Sequence, residues 1–380
     1  MALTIEKLAS GALGVGNING KTVFVENALP GEKVEIKINE EKKGFIMASS
    51  SKIIERSEKR IEPICPYYGI CGGCDFQIVS EKDSAYLKEG IVKDNLIRIA
   101  HMDALPSFDE PAYGSFPGYR SRCRVHVDLK TKRQGFLKKG TNELLDIDFC
   151  PALDEKINDL LAERGGRIFN QARIRMFENR VNRKTGFAEV PLFSGDEKVS
   201  LGSELVDIAI SGSSYKVNAD VFFQSNPRVL PELFRFVKDN AVGDNIMDLY
   251  SGVGTFSALF EGSGKTVYAV ERQKECLNLA KVNAPSAISF SDDVAVWGRK
   301  SGRHVDTVIV DPPRVGLDKG VAEMISTWEP ERIIYVSCNS VTAARDIPLF
   351  KGYSISRIKV FDFYPGSSHV ECAVMMSRNK

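Results

Sequence analysis

A chain of 380 residues exceeds one ordinary domain; at ~150 residues per domain the length predicts two or three. Hydrophobic residues make up 43% and charged residues 27%, a composition that can bury a real core and excludes a low-complexity or disordered chain. Lysine plus arginine number 51 against 50 for aspartate plus glutamate, so affinity for a polyanion must come from a local patch and not from net charge. No apolar run reaches the ~18 residues of a membrane span. The N-terminal stretch has neither the basic nor the apolar region of a secretory signal, so a cytoplasmic location with no membrane partner is expected.

In chain order, residues 1 to about 57 read as short strands. Thr22–Val25 and Lys33–Ile38 are rich in β-branched residues, the second with period-two alternation, and Asn19-Gly20 and Pro30-Gly31 mark turns. About five strands in so short a segment predict a small barrel of the oligonucleotide-binding type. A helix is predicted from about 81 to 102, with Tyr86, Leu87, Ile91, Leu96 and Ile97 on one face. Residues 108–219 read as mainly strands and loops and carry two basic stretches. Tyr119–Lys139 holds eight Lys or Arg against one Asp, and Arg164–Lys184 holds seven against one Glu. Either alone reads as a solvated surface. Together, interleaved with Tyr119, Phe136, Phe169 and Phe177, they point to a phosphate track with stacking platforms.

From about 220 onward strands and helices alternate. Apolar strand cores at Ile246-Met247, Thr266–Val270, Thr307–Val310 and Ile333–Val336 predict an open, mostly parallel sheet covered on both faces. Ligands bind such sheets beyond the carboxyl ends of the strands. The first strand runs into Asp248-Leu249-Tyr250-Ser251-Gly252-Val253-Gly254, where glycines permit a tight turn and close backbone approach. The second ends at Glu271, a carboxylate placed to accept from two ribose hydroxyls, and together the two ends predict a nucleotide site. Ser257 stands where a dinucleotide fingerprint has its third glycine, which favours S-adenosylmethionine over NAD. Two further strands end at Asp311-Pro312-Pro313-Arg314 and at Ser337-Cys338-Asn339. Cys338 reads either as a buried structural thiol or as a covalent nucleophile at the ligand-binding edge.

Three of the eight cysteines cluster, as Cys65, Cys71 and Cys74 on a Gly-rich loop. In a reducing compartment this reads as metal or cofactor ligation, and Cys150, followed by Pro151, is the best-placed fourth ligand. Spacing alone leaves zinc and an iron–sulfur cluster equally open.

These motifs resemble those of bacterial RNA uracil-C5 methyltransferases that carry an N-terminal TRAM domain and an iron–sulfur cluster, the group that modifies large-subunit ribosomal RNA. The resemblance rests on Gly-Asn-Ile-Asn-Gly and Ala28–Glu32 in the barrel and on the Cys65 cluster with Cys150. In the C-terminal part it rests on Phe223-Gln224-Ser225-Asn226, Asp248–Phe256, Asp311–Arg314, Ser337-Cys338-Asn339, Phe363-Tyr364-Pro365 and His369–Cys372. It implies a multi-domain chain: an OB-like TRAM β-barrel over 1–57; a central α+β iron–sulfur domain over 58–80 and 108–219 with a basic RNA-binding surface; and a Rossmann-like α/β methyltransferase domain over 81–107 and 220–380. It also implies a [4Fe-4S] cluster, not zinc, on Cys65, Cys71, Cys74 and Cys150. Gln224, Tyr250, Glu271 and Asp311 would contact S-adenosylmethionine or lie between it and the base. Cys338 would be the nucleophile and Glu371 the general base, with either Asp292 or Asp293 approaching the adenine; His369 reads as a site-lining or structural residue. Ser251 and Thr255 depart from residues common in relatives.

The implied partner is RNA, ribosomal RNA first and transfer RNA as the alternative, acted on by a monomer. Arg120, Arg122, Arg124, Lys132 and Arg133 are the candidate phosphate ligands. Two rival readings exist. Radical S-adenosylmethionine enzymes use three cysteines at a tighter first spacing than the one here. A non-catalytic RNA-binding protein would not need Cys338, Glu371, Asp311 and Gln224 together.

Overall fold

Six strands occupy the first 55 residues: β1 (Ala2–Thr4), β2 (Lys7–Ala9), β3 (Leu13–Ile18), β4 (Lys21–Glu26), β5 (Lys33–Glu41) and β6 (Phe45–Glu55). The structure is a computed structural model that describes residues 1–298 and 304–379. The strands form one sheet in the order β1-β5-β6-β4-β3-β2, one short strand more than expected. Alternation turns Val23, Val25, Val34 and Ala48 inward with Ile5, into a small core of their own. Gly16 lets β1 and β3 meet, since a Cβ there would lie 2.6 Å from the Thr4 carbonyl oxygen. Buried Glu32 accepts from Arg60 (2.5 and 2.8 Å) and from the Leu29 amide (2.9 Å), tying the barrel to the segment that leaves it.

The helix α1 (Glu81–Arg98) is capped by Ser80, whose hydroxyl accepts from the Asp83 amide. Its buried residues are Ser84, Ala85, Lys88, Glu89 (paired with Lys93 on the same helix), Ile91, Val92, Asn95 and Leu96, whereas Tyr86 and Ile97 are exposed. The apolar pattern misplaces this face because three of its residues are polar groups with partners inside the protein. Lys88 donates to Asp362 at 2.6 Å with both side chains fully buried, and Ser84 donates to the other Asp362 oxygen at 2.6 Å. Asn95 donates to Ser340 at 2.8 Å.

After β7 (Ala112–Tyr113), a five-stranded sheet of order β10-β9-β8-β11-β12 is built from β8 (Arg122–Asp128), β9 (Arg133–Leu137), β10 (Leu144–Asp146), β11 (Ala188–Ser194) and β12 (Val199–Leu201). Two helices, α2 (Glu155–Ala162) and α3 (Arg167–Phe177), cover it, in place of the expected strands and loops. Their signal is an Asp154 cap and apolar residues at helical spacing, Ile157, Leu160, Leu161, Ile168, Phe169 and Ala172, all buried on the sheet. The stacking-platform expectation fails for three of its four aromatics. Tyr119 and Phe169 are buried and Phe136 packs against the same core, leaving only Phe177, 93% exposed.

The hairpin β13 (Val206–Ile210) and β14 (Ser213–Val217) and the helix α4 (Leu230–Asn240) lead into the largest sheet. Its elements are β15 (Asn245–Leu249), β16 (Thr266–Glu271), α5 (Lys274–Asn283), β17 (Ile288–Ser291), α6 (Val294–Gly298), β18 (Thr307–Val310), α7 (Val321–Thr327), β19 (Arg332–Ser337), α8 (Ser340–Asp346), β20 (Tyr353–Asp362) and β21 (Glu371–Arg378). The order is β17-β16-β15-β18-β19-β21-β20-β7. Strands β15 to β19 are parallel, and β21 inserts antiparallel between β19 and β20. The chain winds outward from β15 through β16 to β17, then returns to β18 on the other side. That reversal opens a crevice between the carboxyl ends of β15 and β18. Among the described residues no helix is long and apolar enough to cross a membrane.

Replacing Lys88 by Met leaves the Asp362 carboxylate buried without its cation. The expected loss is about 3–5 kcal/mol, read as a lower denaturant midpoint with an unchanged slope.

Candidate active site at the sheet crevice

The crevice is lined by residues that follow directly from strand ends. After β15 the chain turns sharply at Tyr250 (φ 61) and Gly252 (φ 56). Gly254 (φ 80) packs on α5, where a Cβ would come within 3.1 Å of the Ala280 Cα. A short 3₁₀ turn, Ser257–Phe260, follows in place of a full α-helix. Glu271, at the end of β16, accepts from the Gly252 amide (3.0 Å) and the Gln273 amide (2.6 Å), so it fixes the turn and keeps further lone pairs for a ligand. Asp248 Oδ1, Ser251 Oγ and Glu371 Oε1, all at these strand ends, are buried polar atoms without a protein partner among the described residues, and so is Gln224 Oε1. Native interiors seldom leave such atoms unpaired, and a polar ligand in the crevice would satisfy them. Asp293 caps α6, accepting from the Ala295 amide at 3.0 Å, and Asp292 accepts from the Asp293 amide at 2.9 Å.

Three acids converge from neighbouring strands. Asp248 is fully buried and accepts from the Ser257 amide (3.0 Å) and hydroxyl (2.6 Å), yet burial and the charge of Glu271 raise its carboxyl to about 7. Asp311, just past β18, is raised to about 7 by burial and by Asp248. Burial, and then Asp311, push Glu371 well above the usual carboxylate range, while Arg314 opposes this.

Cys338 lies one residue beyond β19. In the β19–β21 pairing Ser337 faces Cys372, which brings Cys338 beside Glu371 at the start of β21. The thiol is half-buried and raised to about 12 by burial, Glu371 and Asp311, with Arg314 lowering it. Arg314 also lies 2.9 Å from His369 Nδ1, and Tyr364 packs edge-on against the His369 ring. Cys372 is by contrast fully enclosed in the core. The sequence-predicted Cys338, Glu371 and Asp311 are thus brought together, while Tyr250 follows the end of β15 and Glu271 ends β16. Arg314 enters the sequence reading only as part of a motif, and its closeness to both reactive groups has no signal in spacing.

The four cysteines gather outside the crevice. Cys71 senses the charge of Cys65, Cys74 that of Cys71 and Cys150, and Cys150 that of Cys65, a closed ring of neighbours. Burial is the main cause that raises all three of these thiols, Cys74 to about 11. The Gly73 amide donates to Cys71 Sγ at 3.4 Å. Among the described residues no three His, Cys, Asp or Glu side chains are drawn in to the spacing of a metal centre. Four thiols of this kind nevertheless are the donor set that a zinc ion or an iron–sulfur cluster takes.

Arg120 and Arg122 are not free surface cations as expected, since both are half-buried and already bonded within the protein. The positive charge of Arg120 reaches Cys71, Cys74, Cys123 and Cys150, its Nε donates to the Arg122 carbonyl, and its guanidinium lies 5.7 Å from the Tyr364 ring centre. Arg122 donates to the Ala219 and Val221 carbonyls. Arg124 is exposed and paired with Glu189.

A doubly wound domain with a polar crevice at its switch point, a thiol and a carboxylate at the rim, and a small nucleic-acid-type barrel in front defines a class: a modifying enzyme of the nucleotide-cofactor type. Comparison with known proteins narrows this. Residues 1–49 match the TRAM domain, and residues 300–379 match the tRNA (uracil-5-)-methyltransferase family. An uncharacterised RNA methyltransferase of Bacillus cereus is 28% identical, the match covering 99% of this chain and 96% of the relative. One from Aquifex aeolicus is 27% identical over 99% and 98%. The fold is shared with the tRNA (uracil-54, C5)-methyltransferase of Pyrococcus abyssi, solved with S-adenosyl-L-homocysteine, at a TM-score of 0.74 and 23% identity, covering 99% of this chain and 100% of that one. The chain therefore joins a TRAM domain to a domain of the RNA uracil-C5 methyltransferase family.

A carboxyl whose folded pKa lies above its unfolded value binds extra protons when folded, so its contribution to stability falls as pH rises through the folded value. For Asp248 that window runs from about 4 to about 7. The melting temperature of the wild type should fall over this range. Asp248→Asn keeps an acceptor for Ser257 but cannot ionise, so its melting temperature should fall less; parallel pH curves would contradict the assignment.

Proposed function

We propose that the chain methylates C5 of a uracil in RNA, with S-adenosylmethionine as donor, Cys338 as nucleophile and Glu371 as general base. The carrying observation is the thiol and the carboxylate side by side at the rim of the crevice. Bound S-adenosylmethionine supplies an electrophilic methyl group; Gln224, Tyr250, Glu271 and Asp311 are the residues that would hold it or separate it from the base.

Uracil C5 is a poor nucleophile. When the Cys338 thiolate adds to C6, the ring becomes an enolate with charge on C5 and O4, and C5 forms the new bond to the methyl carbon as the donor's carbon–sulfur bond breaks. Glu371 then takes the C5 proton, and the electron pair left behind expels Cys338 as thiolate. This needs Glu371 within about 3 Å of that proton, directly or through one water. The base must leave its stack to reach the thiol, at a cost of a few kcal/mol. The exposed Lys132 and Phe177, with Arg124 (paired with Glu189) and Arg133 (bonded to the Leu144 carbonyl), would hold the displaced strand.

The first substrate reading is large-subunit ribosomal RNA, carried by the resemblance in the cysteine loop and the TRAM motifs. Transfer RNA is the second, favoured by the family description and by the Pyrococcus neighbour. Mapping 5-methyluridine in both RNAs from cells lacking the gene decides between them. The proposed enzyme is a cytoplasmic monomer. Cys65, Cys71, Cys74 and Cys150 would hold a [4Fe-4S] cluster. Methyl transfer is redox-neutral, so such a cluster would serve to staple the cysteine loop. Cys150→Ala should lower iron content and the melting temperature together; an iron-free protein of undiminished stability and RNA affinity would contradict this.

Cys338→Ala should abolish turnover, and Glu371→Gln should transfer the methyl yet trap a covalent protein–RNA adduct. Near wild-type turnover of Glu371→Gln with no adduct on a denaturing gel would refute the base assignment. Both groups act deprotonated and burial raises both. The single-turnover rate should therefore climb from pH 7 toward 9, and a rate that falls over this range would contradict the roles.

A further inference from the structure

The loop between β20 and β21, residues 363–370, carries His369 and delivers Glu371 to the crevice. Asn226 and Arg314 bond to its two ends, at the Phe363 carbonyl and at His369, and its middle is held by the residues that immediately follow Cys74. Asp75 accepts twice from Ser368, from its amide at 2.6 Å and from its hydroxyl at 2.7 Å. The Phe76 amide donates to the Gly366 carbonyl at 2.9 Å. Gln77 packs so closely that a Cβ on Gly366 (φ 81) would lie 2.8 Å from its Cγ. Asp75 is itself braced, since Tyr68 donates to its carbonyl at 3.0 Å. Behind the loop, Lys88 reaches the Tyr364 carbonyl at 3.2 Å from its pairing with Asp362. Within the loop, Ser367 folds back on the Tyr364 carbonyl through its amide (3.0 Å) and its hydroxyl (3.1 Å). Asp75 and Ser368 are 293 residues apart in sequence.

We propose that Asp75 is a positioning residue: through Ser368 it fixes the segment Ser368–Glu371 and so sets the distance of the Glu371 carboxylate from the proton it removes. This rests on the reading of Glu371 as general base. Two hydrogen bonds from one carboxylate to an amide and a hydroxyl of the same residue fix both place and orientation, and bonds to a charged acceptor are the stronger kind. Among the described residues Asp75 makes no hydrogen bond to Cys338 and its charge reaches the site only at His369, so its loss should leave the thiol's addition step largely intact and slow proton removal. Displacements of about 1 Å at a reacting group cost on the order of 10²-fold in rate.

The test compares Asp75→Ala, Asp75→Asn and Gly366→Ala in the full-length protein. Asn can still accept from the Ser368 amide and donate to its hydroxyl; Gly366→Ala disturbs the same loop through its contact with Gln77 and its left-handed backbone, and leaves Asp75 in place. Asp75→Ala and Gly366→Ala should lose ~10–100-fold in kcat with KM for RNA changed less than about threefold. Both should build up covalent protein–RNA adduct on a denaturing gel, and Asp75→Asn should restore most of the turnover. Glu371→Gln is run beside them. No adduct in Glu371→Gln overturns the base assignment and this proposal with it. Adduct in Glu371→Gln, but wild-type kcat or no adduct in both Asp75→Ala and Gly366→Ala, overturns the positioning role alone. A loss of melting temperature and of activity in Asp75→Ala without adduct, unrelieved in Asp75→Asn, also overturns it.

Discussion

The antiparallel pairing of β21 against β19 is the constraint on which the site depends. In a wholly parallel sheet, every strand presents its carboxyl end to the crevice and its amino end to the opposite edge. Inserting one strand in the reverse sense puts an amino end at the crevice. Glu371, the first residue of β21, thereby comes beside Cys338, the first residue past β19, with Ser337 and Cys372 in register to fix the pair. A shift of one residue in this register would turn Glu371 to the other face of the sheet.

The same crowding sets the electrostatics. Asp248, Asp311 and Glu371 share a poorly hydrated region with few compensating cations, so each carboxyl is pushed upward and holds its proton more firmly than in water. Arg314 is the cation that offsets this at the rim, lowering both Cys338 and Glu371. A region rich in protonated or sparingly ionised acids suits a cationic methyl donor, whose charge the acids complement when they ionise. Burial, Glu371 and Asp311 also raise the Cys338 thiol.

Much of this is legible in the sequence. Strand ends carry their own signals, so the apolar cores at Ile246, Val267, Val308 and Ile334 suffice to place the strand ends that frame the crevice. The helices over residues 155–177 are harder to read although Ile157, Leu160, Leu161 and Ile168 have helical spacing, because the basic residues between them mimic a surface track. Arg120 and Arg122 mislead for a related reason: charge in a sequence does not distinguish an exposed side chain from one spent on carbonyls and thiols within the protein. The apolar pattern misplaces the face of α1 because Lys88, Ser84 and Asn95 are buried polar groups whose partners lie more than 200 residues away. The Asp75–Ser368 contact is beyond reach in the same way. Nothing local in either segment announces the other.

The proposed chemistry requires a covalent bond between Cys338 and the pyrimidine. RNA containing 5-fluorouridine offers the direct measurement, since fluorine at C5 cannot be removed as a proton and the adduct cannot resolve. After incubation with S-adenosylmethionine and digestion, peptide mass analysis should place the modified nucleotide on the peptide that carries Cys338. Attachment at another cysteine, or no attachment under conditions that methylate ordinary RNA, would contradict it.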